Sequence, residues 1–203
     1  TLNGKTVGII GCGNIGSRTA KRCLAMEMNV LCYDPYKPAK DFPDGVEVVR
    51  DLDRIFTESD YISLHAPNTS VTHKMINKEK LAMMKSSAFL INTARGGLVN
   101  EDDLLEACKN GVIAGAGLDV IAHEPMLPNN PLYKLNNILI TPHIGGNTVE
   151  AAIRASYMAA MGVAEIYEGK VPTWPIPLID YNNAVTYIDT KESNKTPVGM
   201  FDY

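Results

Sequence analysis

The sequence has little of what marks membrane, nucleic-acid-binding or secreted proteins. Its apolar runs are far shorter than the roughly 20 residues that a membrane-spanning helix needs, and no secretory signal opens it. The 203 residues carry 19 basic and 23 acidic side chains, so the formal net charge is −4, and only 7% of them are aromatic. A chain without a basic excess has no electrostatic reason to bind nucleic acid or an anionic membrane. We therefore expect neither partner, and we expect a cytoplasmic location.

Cysteine is also scarce, and no two cysteines form a C-x-x-C pair. The four are Cys12, Cys23, Cys32 and Cys108. Their apolar neighbours favour reduced thiols in a protein core over disulfides, and we expect no metal site. The length and the 45% hydrophobic content fit one ordinary domain with a sizeable core.

The most informative stretch is residues 4–34, GKTVGIIGCGNIGSRTAKRCLAMEMNVLCYD. An apolar run at 7–10 is followed at once by a glycine-rich turn, then by residues at helical spacing, and then by a second apolar run at 30–33 that ends on Asp34. A glycine-rich turn alone is usually only structural. Strand, turn, helix, strand and acid in this order predict a dinucleotide-binding unit.

Each residue type in this unit has a physical role. Gly11 permits a tight turn, Gly13 lets a pyrophosphate approach the backbone, and Gly16 lets the helix pack close to the strand. The turn also includes Asn14 and Ile15, where the helix begins and its unpaired N–H groups attract phosphate. Asp34 is placed to accept hydrogen bonds from the adenosine ribose. A carboxylate there repels a 2′-phosphate, so we expect NAD rather than NADP.

The rest of the chain alternates strands and helices. Further strands are predicted at 46–49, 61–64, 88–92, 112–120 and 138–141. Helices are predicted to begin at Asp51, Asn77, Asn100 and Asn147, the last of them reaching about Glu168. Seven strands in this alternation predict an α/β fold with a doubly wound parallel sheet, the Rossmann type. We expect this domain to span residues 1–171. Residues 172–203 are polar and proline-interrupted, and are interpreted as an extension or a remnant of a second domain.

Unusual polar residues follow the predicted strands. They are Asp34, His65, Arg95, Asp119 and His143, with Glu124 in the loop after the sixth strand. Because ligands of a doubly wound sheet lie outside the carboxyl ends of its strands, these residues are candidates for one site.

Five ordered motifs now carry a resemblance. They are GIIGCGNIG, ISLHAPNT, INTARGGLVNEDDL, GAGLDVIAHEP and TPHIGGNT. Over about residues 2–172 the chain resembles the nucleotide-binding domain of the NAD-dependent D-2-hydroxyacid dehydrogenases, and within that family it looks most similar to phosphoglycerate dehydrogenase-like members. Most of the family's second domain, which binds substrate, has no counterpart here. The resemblance implies hydride transfer between NAD and a 2-hydroxy or 2-keto acid, and a homodimer. It also implies that this chain alone turns over slowly or not at all.

The resemblance further implies roles for individual residues. His143 would be the acid/base, Glu124 would hold its ring, and Arg95 would bind the substrate carboxylate. Asp119 would hold the nicotinamide carboxamide. The other implied cofactor contacts, beside Arg95 and His143, are His65, Ala66, Pro67, Thr93, Ala94, Gly145 and Gly146.

Simpler interpretations stay open for the same residues. His143 could only end a strand, Arg95 could be a surface ion-pair partner, and Glu124 could be a solvated acid beside His123. A rival function is an NAD(H)-sensing interaction module of the corepressor type, since such proteins keep similar residues. Formate or phosphite oxidation on the same scaffold is a third alternative.

Overall fold

The computed structural model describes residues 1–175, together with the backbone of residues 178–179 and 185–186. The chain divides into two compact units, Thr1–Gly145 and Gly146–Tyr203. The predicted boundary between 171 and 172 differs from this division and stays a prediction.

The first unit alternates seven strands with four α-helices, all within described residues. In chain order they are β1 (Thr6–Ile10), α1 (Asn14–Ala25), β2 (Asn29–Tyr33), β3 (Glu47–Val48), α2 (Leu52–Glu58), β4 (Tyr61–Leu64), α3 (Lys78–Met83), β5 (Phe89–Asn92), α4 (Glu101–Lys109), β6 (Gly115–Leu118) and β7 (Ile138–Ile140). Three short 3₁₀ turns accompany them, at Ala39–Asp41, Gly96–Leu98 and Pro131–Lys134.

The strands form one sheet in the order β3-β2-β1-β4-β5-β6-β7, and every pair is parallel. The predicted doubly wound parallel sheet is therefore confirmed. The order reverses between β1 and β4, where the chain turns from one half of the sheet to the other. Such a reversal leaves a crevice outside the carboxyl ends of these two strands, where ligands of this architecture bind.

Both faces of the sheet are covered, as the continuous apolar runs of its strands require. One apolar cluster includes Val7 and Ile9 of β1 with Ala20 of α1. A larger cluster includes Ile10 of β1 and Phe56 of α2. Within the described residues all four cysteines are free thiols, three of them buried. The two faces fix the sheet between helices, so the ends of its strands have defined positions.

The predicted helix starts are confirmed in part. Asp51 and Asn77 cap α2 and α3, with their side chains accepting from backbone N–H groups. Asn100 precedes α4 but makes no side-chain cap bond. In the second unit α5 (Val149–Tyr167) is capped by Thr148, whose hydroxyl accepts from Ala151, so the prediction of Asn147 as the cap was wrong by one residue.

The sixth strand is shorter than predicted, Gly115–Leu118 rather than 112–120. Val112 donates instead to the carbonyl of Ala107 and so closes the end of α4. The third strand is likewise only two residues long. There, Val49 still donates to the carbonyl of Cys32 in β2, one residue beyond the end of the strand. A pattern of apolar residues does not reveal where regular strand pairing ends.

The described part of the second unit forms α5 and a short antiparallel pair, β8 (Leu178–Ile179) and β9 (Val185–Thr186). Most of 172–203 lies outside the described residues, and its interpretation as an extension or remnant stays a prediction. Among the described helices, none combines the length and the apolar character needed to cross a bilayer.

Candidate functional site

The turn after β1 is held by backbone contacts. Gly11 has φ +89°, a conformation that side chains disfavour, and its N–H donates to the carbonyl of Tyr33 at 2.9 Å. A Cβ on Gly11 would lie 2.7 Å from the carbonyl carbon of His65. The turn therefore packs directly on the segment that follows β4, at the point where the strand order reverses.

The start of α1 leaves room for an anion. A Cβ on Gly16 would lie 2.0 Å from the carbonyl oxygen of Gly11, so helix and turn are in close contact, whereas a Cβ on Gly13 would meet nothing within 4 Å. No side chain caps this helix and its first turn has no acid, while Asn14 and Ile15 are exposed. Free N–H groups above an open cradle fit a pyrophosphate.

Asp34 lies at the edge of this turn. Its Oδ2 accepts from the N–H of Cys12 at 2.9 Å and its Oδ1 from the N–H of Tyr36 at 3.1 Å. Lys37 reaches the same place, and its Nζ donates to the carbonyl of Cys12 at 2.7 Å. A hydrogen bond with the thiol of Cys32, aided by Lys37, lowers the pKa of Cys12 to about 6.

The segment after β4 contains His65, Ala66 and Pro67. The Nε2 of His65 lies 2.9 Å from the hydroxyl of Ser63, and burial lowers the pKa of this imidazole. A neutral, hydrogen-bonded ring suits packing against the glycine turn. Proton transfer at the substrate would require an exposed ring.

The segment after β5 positions Thr93, Ala94 and Arg95. Asn92, which is 1% exposed, braces it from below: its Oδ1 accepts from the N–H of Ala94 at 3.1 Å and its Nδ2 donates to the carbonyl of Arg95 at 2.9 Å. Arg95 is exposed, and one guanidinium N–H donates to the carbonyl of Ala94 at 2.6 Å. The sequence motif did not reveal the role of Asn92, although a buried amide at a strand end is a signal for a braced turn.

His143 and Glu124 form the pair that the resemblance implied. The Nδ1 of His143 lies 2.7 Å from Oε2 of Glu124, and Oε1 of Glu124 accepts from the N–H of Ile121 at 3.2 Å. The hydrogen bond from His143 lowers the pKa of Glu124, with smaller help from Ile121 and from the charge of Arg95. Because Nδ1 is engaged, Nε2 is the ring nitrogen left to face a substrate.

Asp119 holds the loop that carries His143. Its Oδ1 accepts from the Thr141 hydroxyl at 2.5 Å and from the N–H of Ile144 at 2.9 Å, and its Oδ2 accepts from the N–H of Gly145 at 2.8 Å. These bonds, that of Thr141 first, lower the pKa of Asp119. His143 has φ +54°, an uncommon value for a residue with a side chain, and the bonds on either side stabilise this conformation.

The structure thus brings the predicted residues together in two groups within the first unit. The glycine turn, Asp34 and the segment after β4 form one group, and Arg95, Asp119, Glu124 and His143 form the other. Gly146 begins the second unit, and its predicted cofactor contact stays a prediction, as does the contact of Asp119 with nicotinamide. A guanidinium, an imidazole and a paired carboxylate at one sheet edge can bind an anionic substrate and move one proton.

Comparison with known proteins identifies the family. Residues 1–145 match the model of the D-isomer specific 2-hydroxyacid dehydrogenase, NAD binding domain. The chain belongs to this family. The resemblance drawn from the motifs is therefore confirmed, and so is NAD as the cofactor of this domain.

Relatives within this dehydrogenase family are similar over most of the chain. A hydroxypyruvate reductase of Thermotoga maritima is 49% identical over 155 residues, which are 75% of this chain and 50% of that protein. A D-3-phosphoglycerate dehydrogenase of Archaeoglobus fulgidus is 43% identical over 83% of this chain and 32% of that one. The D-lactate dehydrogenase of Aquifex aeolicus, solved with NAD and lactic acid, has a TM-score of 0.75 at 38% identity and covers 83% of this chain and 55% of its own. The chain spans about half the length of such relatives, or less.

Proposed function

We propose that the protein containing this chain transfers a hydride between NAD and a D-2-hydroxy or 2-keto acid, in the manner of phosphoglycerate dehydrogenase-like enzymes. The single observation that carries the proposal is the contact of 2.7 Å between His143 and Glu124, with the charge of Arg95 acting on the same carboxylate. The three groups serve the two needs of this reaction: an anchor for the substrate carboxylate and a group that exchanges the hydroxyl proton.

Each of the three residues has one task. Arg95 binds the carboxylate of the substrate, because a planar guanidinium can donate two parallel N–H bonds to it. In the oxidation of a hydroxy acid, Nε2 of His143 accepts the hydroxyl proton, and in the reverse direction it returns that proton. Glu124 accepts from Nδ1, which orients the ring and stabilises the imidazolium.

The residues around the glycine turn fit the cofactor. NAD, when bound, accepts or supplies the hydride. The open cradle over Gly13 and the uncapped start of α1 would bind its pyrophosphate. The carboxylate of Asp34, held beside this turn, would accept from the ribose and disfavour a 2′-phosphate. We therefore propose that the site prefers NAD over NADP.

The test begins with binding. NADH is titrated into the 203-residue chain by calorimetry, and pyruvate, glyoxylate and hydroxypyruvate are then titrated into the NADH complex, with Arg95→Ala as the matched variant. We expect NADH binding, and binding of a 2-keto acid that the variant loses. Chains that bind no NADH would refute the proposal.

The names of the relatives favour an enzyme over the interaction module. The relatives compared above are named reductases and dehydrogenases. NADH-dependent capture of a partner protein, without reduction of any 2-keto acid by the protein that contains this chain, would instead support the module.

We also propose that the protein is a cytoplasmic homodimer that binds no nucleic acid. The net charge of −4 supports the last point, and the apolar, exposed side chains of α5, among them Val149, Ile153 and Val163, offer a surface for a second copy. Sedimentation velocity tests the dimer: we expect twice the chain mass, and a monomer across the micromolar range would contradict it.

A further inference from the structure

We call the group formed by Arg95, Asp119, Glu124 and His143 the acid/base edge. Two segments of this edge are in contact at two points. A Cβ on Gly96 would lie 1.9 Å from the carbonyl of Ile121, so the backbone after Arg95 presses directly on the loop that leads to Glu124. Five residues after Gly96, the carboxylate of Glu101 accepts from the N–H of Ala122 at 2.6 Å. The segment 95–101 therefore grips the loop 121–124 by close packing and by one charge-assisted hydrogen bond.

The loop 121–124 is also the one that orients the side chain of Glu124. The N–H of Ile121 donates to Glu124 and the next N–H, that of Ala122, donates to Glu101. Consecutive amides thus bind two different carboxylates, one of which faces His143. If Ala122 moves, the amide of Ile121 moves with it, and the carboxylate of Glu124 loses one of its two partners.

Glu101 lies on a helix whose position is fixed by core packing. It is the first residue of α4, a helix that is anchored in the core by Leu104, which is fully buried. Hydrogen bonds from a backbone N–H to a carboxylate are shorter and stronger than those between neutral groups. The hydrogen bond from Ala122 therefore connects the loop 121–124 to α4, a helix that is fixed in the core.

We propose that Glu101 is a positioning residue that holds the loop 121–124 so that Glu124 meets His143. The catalytic meaning of this role rests on the proposed function, whereas the structural part does not. Neither the glycine motif nor the family resemblance assigned any role to Glu101.

A simpler role for Glu101 would be to stabilise the N-terminus of α4 by its charge. Asp102 and Asp103 stand in the same first turn and would supply that effect without Glu101. Asp103 also accepts from the N–H of Lys78, so Asp102 is the cleaner control: it has the same charge and the same turn, and it is exposed.

The experiment uses the 203-residue chain and two NMR readouts, exchange of the Ala122 amide and ¹³C titration of the Glu124 carboxyl, in Glu101→Ala, Glu101→Gln and Asp102→Ala. The charged groups that act on Glu124 are His143 and Arg95, and Glu101 is a further negative charge bound to the same loop. Removing a negative neighbour alone would lower the pKa of Glu124. Loosening the loop would raise it, because the bonds that lower it are lost. The two causes therefore differ in sign.

We expect Glu101→Ala to raise the pKa of Glu124 towards its ordinary value and to speed exchange at Ala122 about tenfold, the effect of losing one hydrogen bond. Glu101→Gln, which keeps an acceptor, and Asp102→Ala should leave exchange within about twofold of the original. An unchanged or lowered pKa in Glu101→Ala, or equal loosening in Glu101→Gln, would overturn the proposal.

A second arm measures turnover of a 2-keto acid by the protein that contains this chain. There Glu101→Ala should lower kcat about tenfold and leave the KM for NADH unchanged, with Glu101→Gln restoring kcat. Absence of turnover in the unaltered protein would count against the proposed function only. Normal kcat in Glu101→Ala would count against the positioning role only.

Discussion

The two halves of the site are built in different ways. The glycine turn is shaped by backbone atoms so close that a Cβ at Gly16 would stand 2.0 Å from a carbonyl oxygen. The acid/base edge is shaped by carboxylates, since Asp119, Glu101 and Glu124 all accept from backbone N–H groups of loops. The turn should therefore fail through added volume, and the edge through lost hydrogen-bond acceptors.

The difference also concerns distance along the chain. The turn and its acid come from residues 11–34, a single strand–helix–strand unit. The edge combines segments around residues 95–101, 119–124 and 141–145, which meet only because β5, β6 and β7 are neighbours in the sheet. The glycine turn is therefore built mostly within one local unit, whereas Arg95, Glu124 and His143 come together only when this half of the sheet is folded.

The largest effect is expected from His143→Asn. The amide that this substitution introduces can still donate to Glu124, but it has no counterpart of Nε2, so only proton exchange is lost. We expect turnover of a 2-keto acid by the protein that contains this chain to fall by about 10²–10⁴-fold, the usual contribution of a general acid or base, and NADH affinity to fall far less. Stopped-flow NADH oxidation and calorimetry measure the two quantities. Equal loss of both would show that the two halves of the site are not separable.

The next largest effect is expected from Gly16→Ala. Its Cβ would collide with backbone of the turn, which cannot move aside as a flexible side chain would. We expect lower thermal stability together with a loss of NADH affinity of about 100-fold, equivalent to about 2.7 kcal/mol.

Gly13→Ala is the matched control for that substitution. A Cβ there meets nothing in the chain, so the melting temperature should stay unchanged while NADH affinity still falls. A variant that binds NADH normally would mean that the pyrophosphate lies elsewhere.

The same contrast explains how far the sequence could predict the molecule. The β1–α1–β2 unit followed from local rules, because its glycines, apolar runs and acid each act within a few residues. The helix caps at Asp51 and Asn77 are equally local and were confirmed. Long-range partners were not predictable in this way: the carboxylate of Asp103, in the first turn of α4, accepts from the N–H of Lys78 at the start of α3.

The acid/base edge could be predicted from the sequence less completely than the β1–α1–β2 unit. The motifs indicated Arg95, Glu124 and His143, but only the fold shows that Asn92 and Glu101 brace the loops between them. The motifs implied a contact between Asp119 and the cofactor, which stays a prediction, and they did not reveal the three bonds to 141–145 that engage both of its oxygens. Such partners depend on which strands become neighbours in the sheet, and the local patterns of a single sequence do not determine the strand order.

A smaller effect, specific to the edge, is expected on acidification. Because the folded pKa of Asp119 is lowered, its bonds are complete above the ordinary value near 3.9 and are lost as the pH falls through the folded pKa. The protection of the Ile144 and Gly145 amides, which is their exchange rate relative to that of an unfolded peptide at the same pH, should therefore stay constant from pH 7 to about pH 4 and be lost below it. The Gly11 amide, which donates to a backbone carbonyl, should not follow.

Asp119→Asn is the control for this pH dependence. Its amide keeps one acceptor but presents N–H groups towards the N–H of Gly145, so the protection of the Gly145 amide should be about tenfold lower at pH 7 and nearly independent of pH. If the variant kept the same acid-induced loss of protection, the loop would be held by another titrating group.

The smallest effect is expected at Ser59, and there the substitution should increase the stability of the chain rather than lower it. This residue is fully buried, and its hydroxyl has no hydrogen-bond partner among the described residues. It packs so closely on β1 that a Cβ on Gly8 would lie 2.5 Å from its Oγ. Since an unpaired buried hydroxyl costs stability, Ser59→Ala should stabilise the chain by about 0.5–1 kcal/mol, a rise of about 1–4 °C in Tm.

Ser63→Ala is the informative counterpart, because Ser63 is also buried but lies 2.9 Å from Nε2 of His65. Its removal leaves that ring nitrogen unpaired, so this variant should lose about 1 kcal/mol. Urea unfolding of both variants compares the free energy of unfolding when an unpaired hydroxyl is removed with that when a hydrogen-bonded hydroxyl is removed. If Ser59→Ala were the less stable of the two, its hydroxyl would have a partner, and the turn would depend on more than backbone packing.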